Sequence, residues 1–329
     1  MRPATLDRIL AILIVAQLVT GLLTLRAGTE STGALFVAHG LLGGMLLVAV
    51  ILKLRHSVPS ALRARRWRQL AGALVLGLLV SAALAGGFAW VASGRILSIG
   101  GWTVLTLHVW AALAVVPILA LHLLPRRWRL MWPPRTLDVS RRTFLATGAL
   151  VAAGAIVWAA AGVLDAVQGG ARRFTGSRLL PEGGVPPVTT FFGEGTPRID
   201  LAAWRLRVTG RVARQLELDV DAVSALETRE IEPILDCTSG WAMRTHWRGV
   251  PMSALLDAAG PIDAATHVII RSVTGWSTDL SLSEAAGTLL ATEVAGRALP
   301  AGNGAPLRLV VPTRRGVDWV KWVDEIVVG

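Results

Sequence analysis

The chain has 329 residues, 53% of them hydrophobic, and a mean hydropathy of +0.56, a balance that points to membrane spans and leaves room for about two domains. The formal charge of +11 would suit nucleic acid only as a basic face on a folded domain. Instead residues 1–167 hold 16 Lys and Arg against 4 Asp and Glu, and residues 168–329 hold 17 against 18, so the basic excess belongs to the apolar half and nucleic acid is excluded as a partner.

Five stretches reach the roughly 20 apolar residues that a membrane helix needs: about 9–25, 36–54, 69–92, 104–124 and 144–164. Four further spans follow the first, which reads as an anchored helix rather than a cleaved signal. Between the second and third spans lie Lys53, Arg55, Arg63, Arg65, Arg66 and Arg68; between the fourth and fifth lie Arg126, Arg127, Arg129, Arg135, Arg141 and Arg142. The alternate loops carry only Arg26 and Arg95. Positive charge collects on the cytoplasmic side, so the N-terminus is predicted inside and the domain after the fifth span outside, with membrane lipid as the first unit's partner.

Four of the six histidines fall in this half: His39 and His56 with the second span, His108 and His122 with the fourth. A membrane histidine is costly and is a functional hypothesis by default, although one at a helix end can simply reach the interface. His39 and His108 each lie about one turn inside the outer end of their helix and share a depth, as two axial ligands of one haem iron must. His108 and His122 lie about 21 Å apart along the helix and within about 40° of one face. His39 and His56 are about 25 Å apart and roughly 100° off a common face. An outer haem at His39 and His108 is therefore expected, with a second, inner one at His56 and His122 left open. This placement resembles b-type cytochromes that exchange electrons with quinones, which implies haem b and a quinone or quinol partner. Simple anchoring of the second half would need one span.

Before the fifth span stands Asp138-Val139-Ser140-Arg141-Arg142-Thr143-Phe144-Leu145, which resembles a twin-arginine export signal placed internally. The resemblance implies recognition by the twin-arginine export machinery; the bland reading is ordinary positive-inside charge. Gln168 to Pro187 is rich in Gly, Arg and Pro and reads as a linker.

The remaining residues alternate apolar and charged at Trp204 to Val208, as a half-buried strand should. His267 to Ser272 and Leu307 to Val311 also read as strands, and Leu255 and Leu256 as helical. The only cysteine, Cys237, follows the apolar run Ile231 to Leu235 and precedes the turn Thr238-Ser239-Gly240. One cysteine makes no internal disulfide; it is either a small buried hydrophobe or a thiol placed for chemistry at a strand end.

Four motifs decide between these. Pro197 to Gly210, the cysteine stretch Ile234 to Trp241, Trp247-Arg248-Gly249-Val250-Pro251, and Gly304 to Pro312 with Arg314-Arg315-Gly316 and Val320-Lys321-Trp322-Val323 together resemble the sulfite oxidase family of molybdopterin enzymes, which includes the methionine-sulfoxide reductase catalytic subunits. The resemblance covers about residues 185–329. It implies a molybdenum–molybdopterin cofactor whose metal takes Cys237 as a soft ligand. Guanidinium matches phosphate geometry, so Arg308, Arg314, Arg315 and Lys321 are candidates for the cofactor, with Gly316 allowing close backbone approach. Arg244 and His246 follow the cysteine loop and reach cofactor or substrate; Ser239, Trp241 and Trp276 shape the pocket. Sulfite oxidases use an active-site tyrosine, and the chain has none. The sulfoxide reductase branch has a glutamate two residues after its cysteine, where Ser239 stands here.

The predicted architecture is a membrane α-helical bundle, four helices plus a fifth tethering helix, followed by an α+β sulfite oxidase-like molybdopterin-binding domain. Its segments are 1–135 (haem b-type membrane domain), 136–167 (export-like signal and fifth helix), 168–187 (linker) and 188–329 (molybdopterin-binding domain). The predicted function is oxygen-atom transfer on a small-molecule substrate, with reduction of an S- or N-oxide ahead of a sulfite-type dehydrogenase running the other way. A tethered binding module that has lost catalysis is the remaining alternative.

Overall fold

The computed structural model describes residues 3–63, 65, 67–123, 140–189 and 194–329. Arg66, Arg126, Arg127, Arg129 and Arg135, the motif residues Asp138 and Val139, and the expected boundary at 135–136 lie outside the described residues. The chain divides into two compact units, one holding the long helices and the chain to Arg178, the other running from Leu179 to Gly329.

The first unit contains α1 (Pro3–Thr24), α2 (Gly33–Arg63) and α3 (Trp67–Ala92), a two-stranded hairpin of β1 (Ser98–Ile99) and β2 (Trp102–Thr103), then α4 (Val104–Leu123) and α5 (Arg141–Val167). All five helices are long and apolar enough to cross a membrane. α2 outruns its apolar stretch and carries Lys53, Arg55 and His56 onward through Pro59 to Arg63. Long basic side chains favour helix and can extend their heads past the apolar zone. Lys53 there pairs with Asp7 of α1.

α2 packs against α1, α3 and α5, and α3 against α4. Leu13, Leu46, Ala49, Val80, Leu84, Val115 and Leu150 form the buried core, while Ile12, Leu78 and Ile156 stay exposed. Helices apolar on every face belong in a large core or in lipid. Small residues let the backbones of α2 and α5 approach: a Cβ on Gly44 would lie 2.2 Å from the Gly154 carbonyl oxygen, and one on Gly40 2.3 Å from Trp158 Nε1. α5 is thus packed into the bundle along its length. Its first turn is capped by Ser140, whose hydroxyl accepts from the Thr143 amide.

Beyond α5 the chain folds back on this unit as far as Arg178. Arg172 and Arg178 both reach Asp165, at 2.7 and 2.5 Å. Arg178 also donates to the carbonyls of Trp90 and Val91, which a helix C-terminus leaves without intrahelical partners. Trp90 Nε1 donates to the Gly176 carbonyl. The first half of the expected linker is therefore a fixed cap rather than a free tether.

The second unit is built from β3 (Arg178–Leu179), β4 (Leu206–Gly210), β5 (Leu216–Leu218), α6 (Val220–Ser224), β6 (Arg229–Ile231), β7 (Ile234–Asp236), β8 (Trp241–Arg244), β9 (Trp247–Pro251), α7 (Met252–Ala259), β10 (His267–Ser272), β11 (Ser277–Ser281), α8 (Leu282–Ala286), β12 (Leu289–Val294), β13 (Arg297–Ala298), β14 (Arg308–Val310) and β15 (Val323–Val328). One sheet has the order β11-β10-β15-β4-β5 and a second β13-β12-β9-β6 with β14 beside β12; β3-β8-β7 makes a third. β15 and β4 run parallel, with Ile326 opposite Val208; the other pairs in that sheet are antiparallel. Leu206 and Val208 are buried and Arg207 between them exposed, the period of two that one covered face demands. The strand begins two residues later than the alternation suggested, because the Trp204 amide is engaged in a turn to the Asp200 carbonyl. Met252, Leu255, Leu256 and Ala259 bury one stripe of α7. The α+β reading of this half holds.

Substituting Gly44 by Val places two methyl groups where the Gly154 backbone stands. Overpacking of this kind costs about 1–3 kcal/mol, more than the propensity gained on leaving glycine. The detergent-solubilised variant is expected to unfold at a lower temperature than the parent, and an unchanged melting curve would contradict this crossing.

Candidate functional site

In the second unit, strand β7 delivers Cys237 into a tight turn and β8 returns from it. The Cys237 amide donates to the Trp241 carbonyl (2.8 Å) and the Gly240 amide to the Cys237 carbonyl (2.9 Å). Gly240 closes the turn at φ 103°, a conformation that requires glycine. The Cys237 Sγ lies 3.0 Å from the Ser239 hydroxyl, so the serine can donate to the sulfur.

Two neighbours fix the turn from below. Arg315 donates to Asp236 Oδ1 through Nη2 (3.0 Å) and Nε (3.2 Å), and to the Cys237 carbonyl (3.2 Å). Both charged side chains are almost fully buried, so each satisfies the other where neither could stand alone. Gly316 follows directly: a Cβ there would meet Leu235 at 3.1 Å and the Cys237 Cα at 3.4 Å. Arg315 and Gly316 therefore act on the cysteine backbone, as positioning residues.

Arg308, buried, and Lys321, half-buried, are two further cations of the site. Arg308 Nη1 donates to the Asn303 carbonyl (2.9 Å), and its guanidinium carbon stands 5.2 Å from the ring centre of Trp247 and 6.0 Å from that of Trp319, within cation–π range. Its Nε is buried with no partner. Lys321 Nζ donates to the carbonyls of Thr189 (2.7 Å) and Gly302 (2.8 Å). Gly304, at φ 116°, brings the loop onto both cations: a Cβ would lie 3.1 Å from Lys321 Cβ and 3.2 Å from Arg308 Cβ. Among the described residues neither cation has a carboxylate in salt-bridge contact. Burial lowers Arg308 to about 10, opposed by the negative charge of Cys237. Burial, then repulsion from Arg308, lowers Lys321 to about 8, opposed by Cys237 and Glu194. A cysteine sulfur, two cations partly or wholly removed from water and an orphaned guanidinium N–H are a donor set for an anionic, thiophilic metal group.

Trp241 is buried and donates from Nε1 to Thr189 Oγ1 (3.2 Å), joining it to the residue that holds Lys321. Trp276 is 38% exposed and donates to the Val317 carbonyl, one residue beyond Gly316. Three expected cofactor ligands have other partners. Arg314 forms a two-point pair with Glu284, at 2.7 and 2.5 Å. Arg244 lies near Glu182 and His246 near Glu232, each at 3.5 Å and well exposed. Asp236, Thr189, Asn303, Trp247 and Trp319 escaped the sequence reading. Only Asp236, beside the cysteine, carried a local signal; the others join through tertiary contacts.

In the first unit His39 and His108 face each other, with ring centres 6.2 Å apart and planes at 85°. His108 Nδ1 donates to the Ala83 carbonyl (2.6 Å). His39 Nδ1 lies 2.9 Å from Thr20 Oγ1, whose own proton goes to the Ala16 carbonyl (2.8 Å). His108 thus carries its proton on Nδ1 and keeps the Nε2 lone pair, the arrangement that second-shell bonds impose on metal-binding histidines, while His39 Nε2 lies 3.4 Å from the Gln17 side-chain amide nitrogen. Glycines leave room beside both: Cβ atoms on Gly21 and Gly87 would lie 3.1 and 3.2 Å from the respective Cε1 atoms. His56 is exposed on α2, and His122 turns towards Gly72 of α3.

Lys321 gives the second unit a pH signature. Its folded value of about 8 lies below the ordinary 10.5, so the unfolded chain binds that proton more tightly. Between these two values stability must rise with pH on this residue's account; below about 8 the burial penalty is present in full. In cofactor-free protein, Lys321→Met is expected to raise stability at neutral pH and abolish that rise, as read from melting temperatures between pH 7 and 10.5.

The family profile described as "Oxidoreductase molybdopterin binding domain" matches residues 193–329. The chain is similar to the protein-methionine-sulfoxide reductase catalytic subunit MsrP of Gluconobacter oxydans (strain 621H), with 32% identity over 226 residues, covering 59% of this chain and 70% of the relative. The MsrP of Xanthomonas campestris pv. campestris is 30% identical over 169 residues, covering 43% and 52%. Among solved structures, the sulfane dehydrogenase SoxCD of Paracoccus pantotrophus aligns with a TM-score of 0.39 and 22% identity over 41% of this chain and 40% of that one. With its single cysteine set against buried cations in the matched region, the chain belongs to the sulfite oxidase family of molybdopterin-dependent oxidoreductases.

Proposed function

We propose that this oxidoreductase is anchored in the cytoplasmic membrane, works on its outer side, and couples quinol oxidation through haem b to reduction of a small S-oxide. The observation that carries the reading is the Cys237 thiol, whose charge influences the buried Arg308 and the half-buried Lys321, two cations without a carboxylate in salt-bridge contact among the described residues. The similarity to the methionine-sulfoxide reductase subunits supports an S-oxide as substrate. Molybdenum–molybdopterin would supply two-electron oxygen-atom transfer there, and haem b one-electron transfer.

The chain's own residues divide the work. Cys237 offers the sulfur ligand, and the Ser239 hydroxyl withdraws charge from that sulfur by donating to it. Arg308 and Lys321 neutralise the anionic group, held in place by the carbonyls of Asn303, Thr189 and Gly302. Arg315 keeps the cysteine backbone fixed through Asp236. Trp241 closes the buried side, while the partly exposed Trp276 stands where substrate would enter. Reduction of a sulfoxide consumes two electrons and two protons and releases a thioether and water.

The histidine pair supports the electron-transfer half. His39 and His108, with ring centres 6.2 Å apart, would hold the haem iron, which would supply one-electron transfer. The basic residues of alternate loops support a cytoplasmic N-terminus, and Ser140 to Leu145 supports twin-arginine export of the second unit. That segment is also an ordinary helix start, so the arginines decide: with Arg141 and Arg142 changed to Lys, the second unit should resist protease added outside the cell, and normal exposure would remove the export reading.

Metal analysis of the full chain from a molybdopterin-competent host tests both centres together. About one molybdenum and at least one haem iron per chain are expected. Cys237→Ser should lose the molybdenum and sulfoxide-dependent turnover while keeping the haem spectrum; His108→Ala should lose the haem at this pair and keep the molybdenum. Unaltered molybdenum in the first variant, or an unaltered reduced-minus-oxidised spectrum in the second, would overturn the corresponding assignment.

A further inference from the structure

We infer that the loop between α1 and α2, Arg26–Thr29, carries electrons to the Cys237 turn through the main chain of Arg314 and Arg315, a route that rests on the haem and molybdenum assignments proposed above. Although it joins two helices of the first unit, this loop packs as part of the second. Gly28 sets the approach. A Cβ there would lie 2.9 Å from the Arg314 carbonyl carbon, 3.0 Å from the Arg315 amide nitrogen and 3.1 Å from the Arg314 Cα. All three are backbone atoms, which cannot swing aside, so the two stretches of main chain meet at a distance that glycine alone permits. Nearby, Arg26 Nε stands 3.7 Å from Oδ1 of Asp318, a buried carboxylate that also accepts from the Thr278 hydroxyl at 2.9 Å.

From that contact the path to the cysteine is short. Arg315 Nη2 donates to the Cys237 carbonyl at 3.2 Å and to Asp236 Oδ1 at 3.0 Å. One close backbone contact, one side chain and one hydrogen bond therefore lead from Gly28 to the residue whose sulfur would hold molybdenum. At its other end the loop is covalently joined to both helices that place His39. α1 brings Thr20, whose hydroxyl oxygen lies 2.9 Å from His39 Nδ1, and α2 begins at Gly33, about 9 Å along the helix from His39.

Electrons cross bonds and hydrogen bonds faster than open gaps, which makes this loop the natural exit from the histidine pair. The β1–β2 hairpin, which joins α3 to α4, has no comparable contact at its turn: among the described residues nothing lies within 4 Å of a Cβ on Gly100 or Gly101. Oxidation of a quinol releases two electrons and two protons, and a sulfoxide takes up two of each in becoming a thioether and water, so the loop need carry electrons only.

Two measurements on the full chain test the route, with Gly28→Val and Arg26→Gln beside the parent. In cofactor-free protein the valine should displace Arg314 and, through Arg315, loosen the cysteine turn. Hydrogen exchange at the Arg314 and Cys237 amides should quicken at least about fivefold, the lower end of what overpacking does to an equilibrium, while the amides of β4 keep the parent's rates. In protein loaded with both cofactors, dimethyl sulfoxide reduction driven by ubiquinol should fall at least about fivefold relative to reduction driven by benzyl viologen, because a shift of about 1 Å can cost more than that and the dye reaches the molybdenum site without the loop. Arg26→Gln leaves the backbone contact intact and removes a long ion pair of an exposed arginine, worth little, so it should match the parent in both. Gly28→Ala covers the case in which the valine variant fails to fold and should move both readouts in the same direction. Unchanged exchange at Arg314 and Cys237, or a quinol-to-dye ratio equal to the parent's, overturns the route, as does an equal loss in Arg26→Gln. A parent without haem, or His108→Ala with its quinol-linked turnover intact, instead overturns the haem assignment underneath, while the exchange rates still judge the loop contact.

Discussion

Everything in the second unit is arranged around an uncompensated pair of cations. Arg308 and Lys321 have left water without a carboxylate in salt-bridge contact among the described residues, and a charge so placed is costly. The unit answers with carbonyl oxygens from the 300–305 loop and from Thr189, and with the faces of Trp247 and Trp319. These satisfy geometry but supply no net negative charge. Only Cys237 and Glu194 oppose the positive potential at Lys321. On the proposed reading this imbalance receives the anionic cofactor, and the Cys237 thiol gives its metal a soft ligand.

That imbalance explains the division among the arginines of the C-terminal motif. Arg315 is held by the buried Asp236 and stiffens the cysteine turn. Arg314, one residue earlier, points to Glu284. Arg314 closes a turn through its amide to the Val311 carbonyl, whereas Arg315 is extended, so neighbouring arginines with the same chemistry serve different parts of the fold. A guanidinium with a carboxylate at two-point distance is already neutralised and has little left for a cofactor.

The helical unit solves a related problem with different means. In an apolar surrounding, polar groups must find partners within the bundle. His108 of α4 uses a main-chain carbonyl of α3 and His39 of α2 a threonine of α1, and the two rings face each other. The glycine crossing of α2 and α5 brings the last helix close. The chain after it then caps the bundle through Asp165, Arg172 and Arg178. Sequence composition marked that cap as a linker, because Gly, Arg and Pro signal loops whether or not the loop is packed.

By itself the sequence determined that five helices are apolar enough to span a membrane, the α+β character of the second half, Cys237 at a strand end, and His39 and His108 at one depth. Each follows from a periodicity, a length or a turn signal a few residues long. Tertiary structure decided which charges meet. Asp236 and Arg315 are 79 positions apart and Lys321 and Thr189 are 132 apart, distances over which local pattern carries no information. It also decided that Arg314, Arg244 and His246 have acidic partners, while Arg308 and Lys321 have no carboxylate in salt-bridge contact among the described residues. The physical reason is that burial and ion pairing depend on the whole fold, whereas propensity and hydrophobic period depend only on near neighbours.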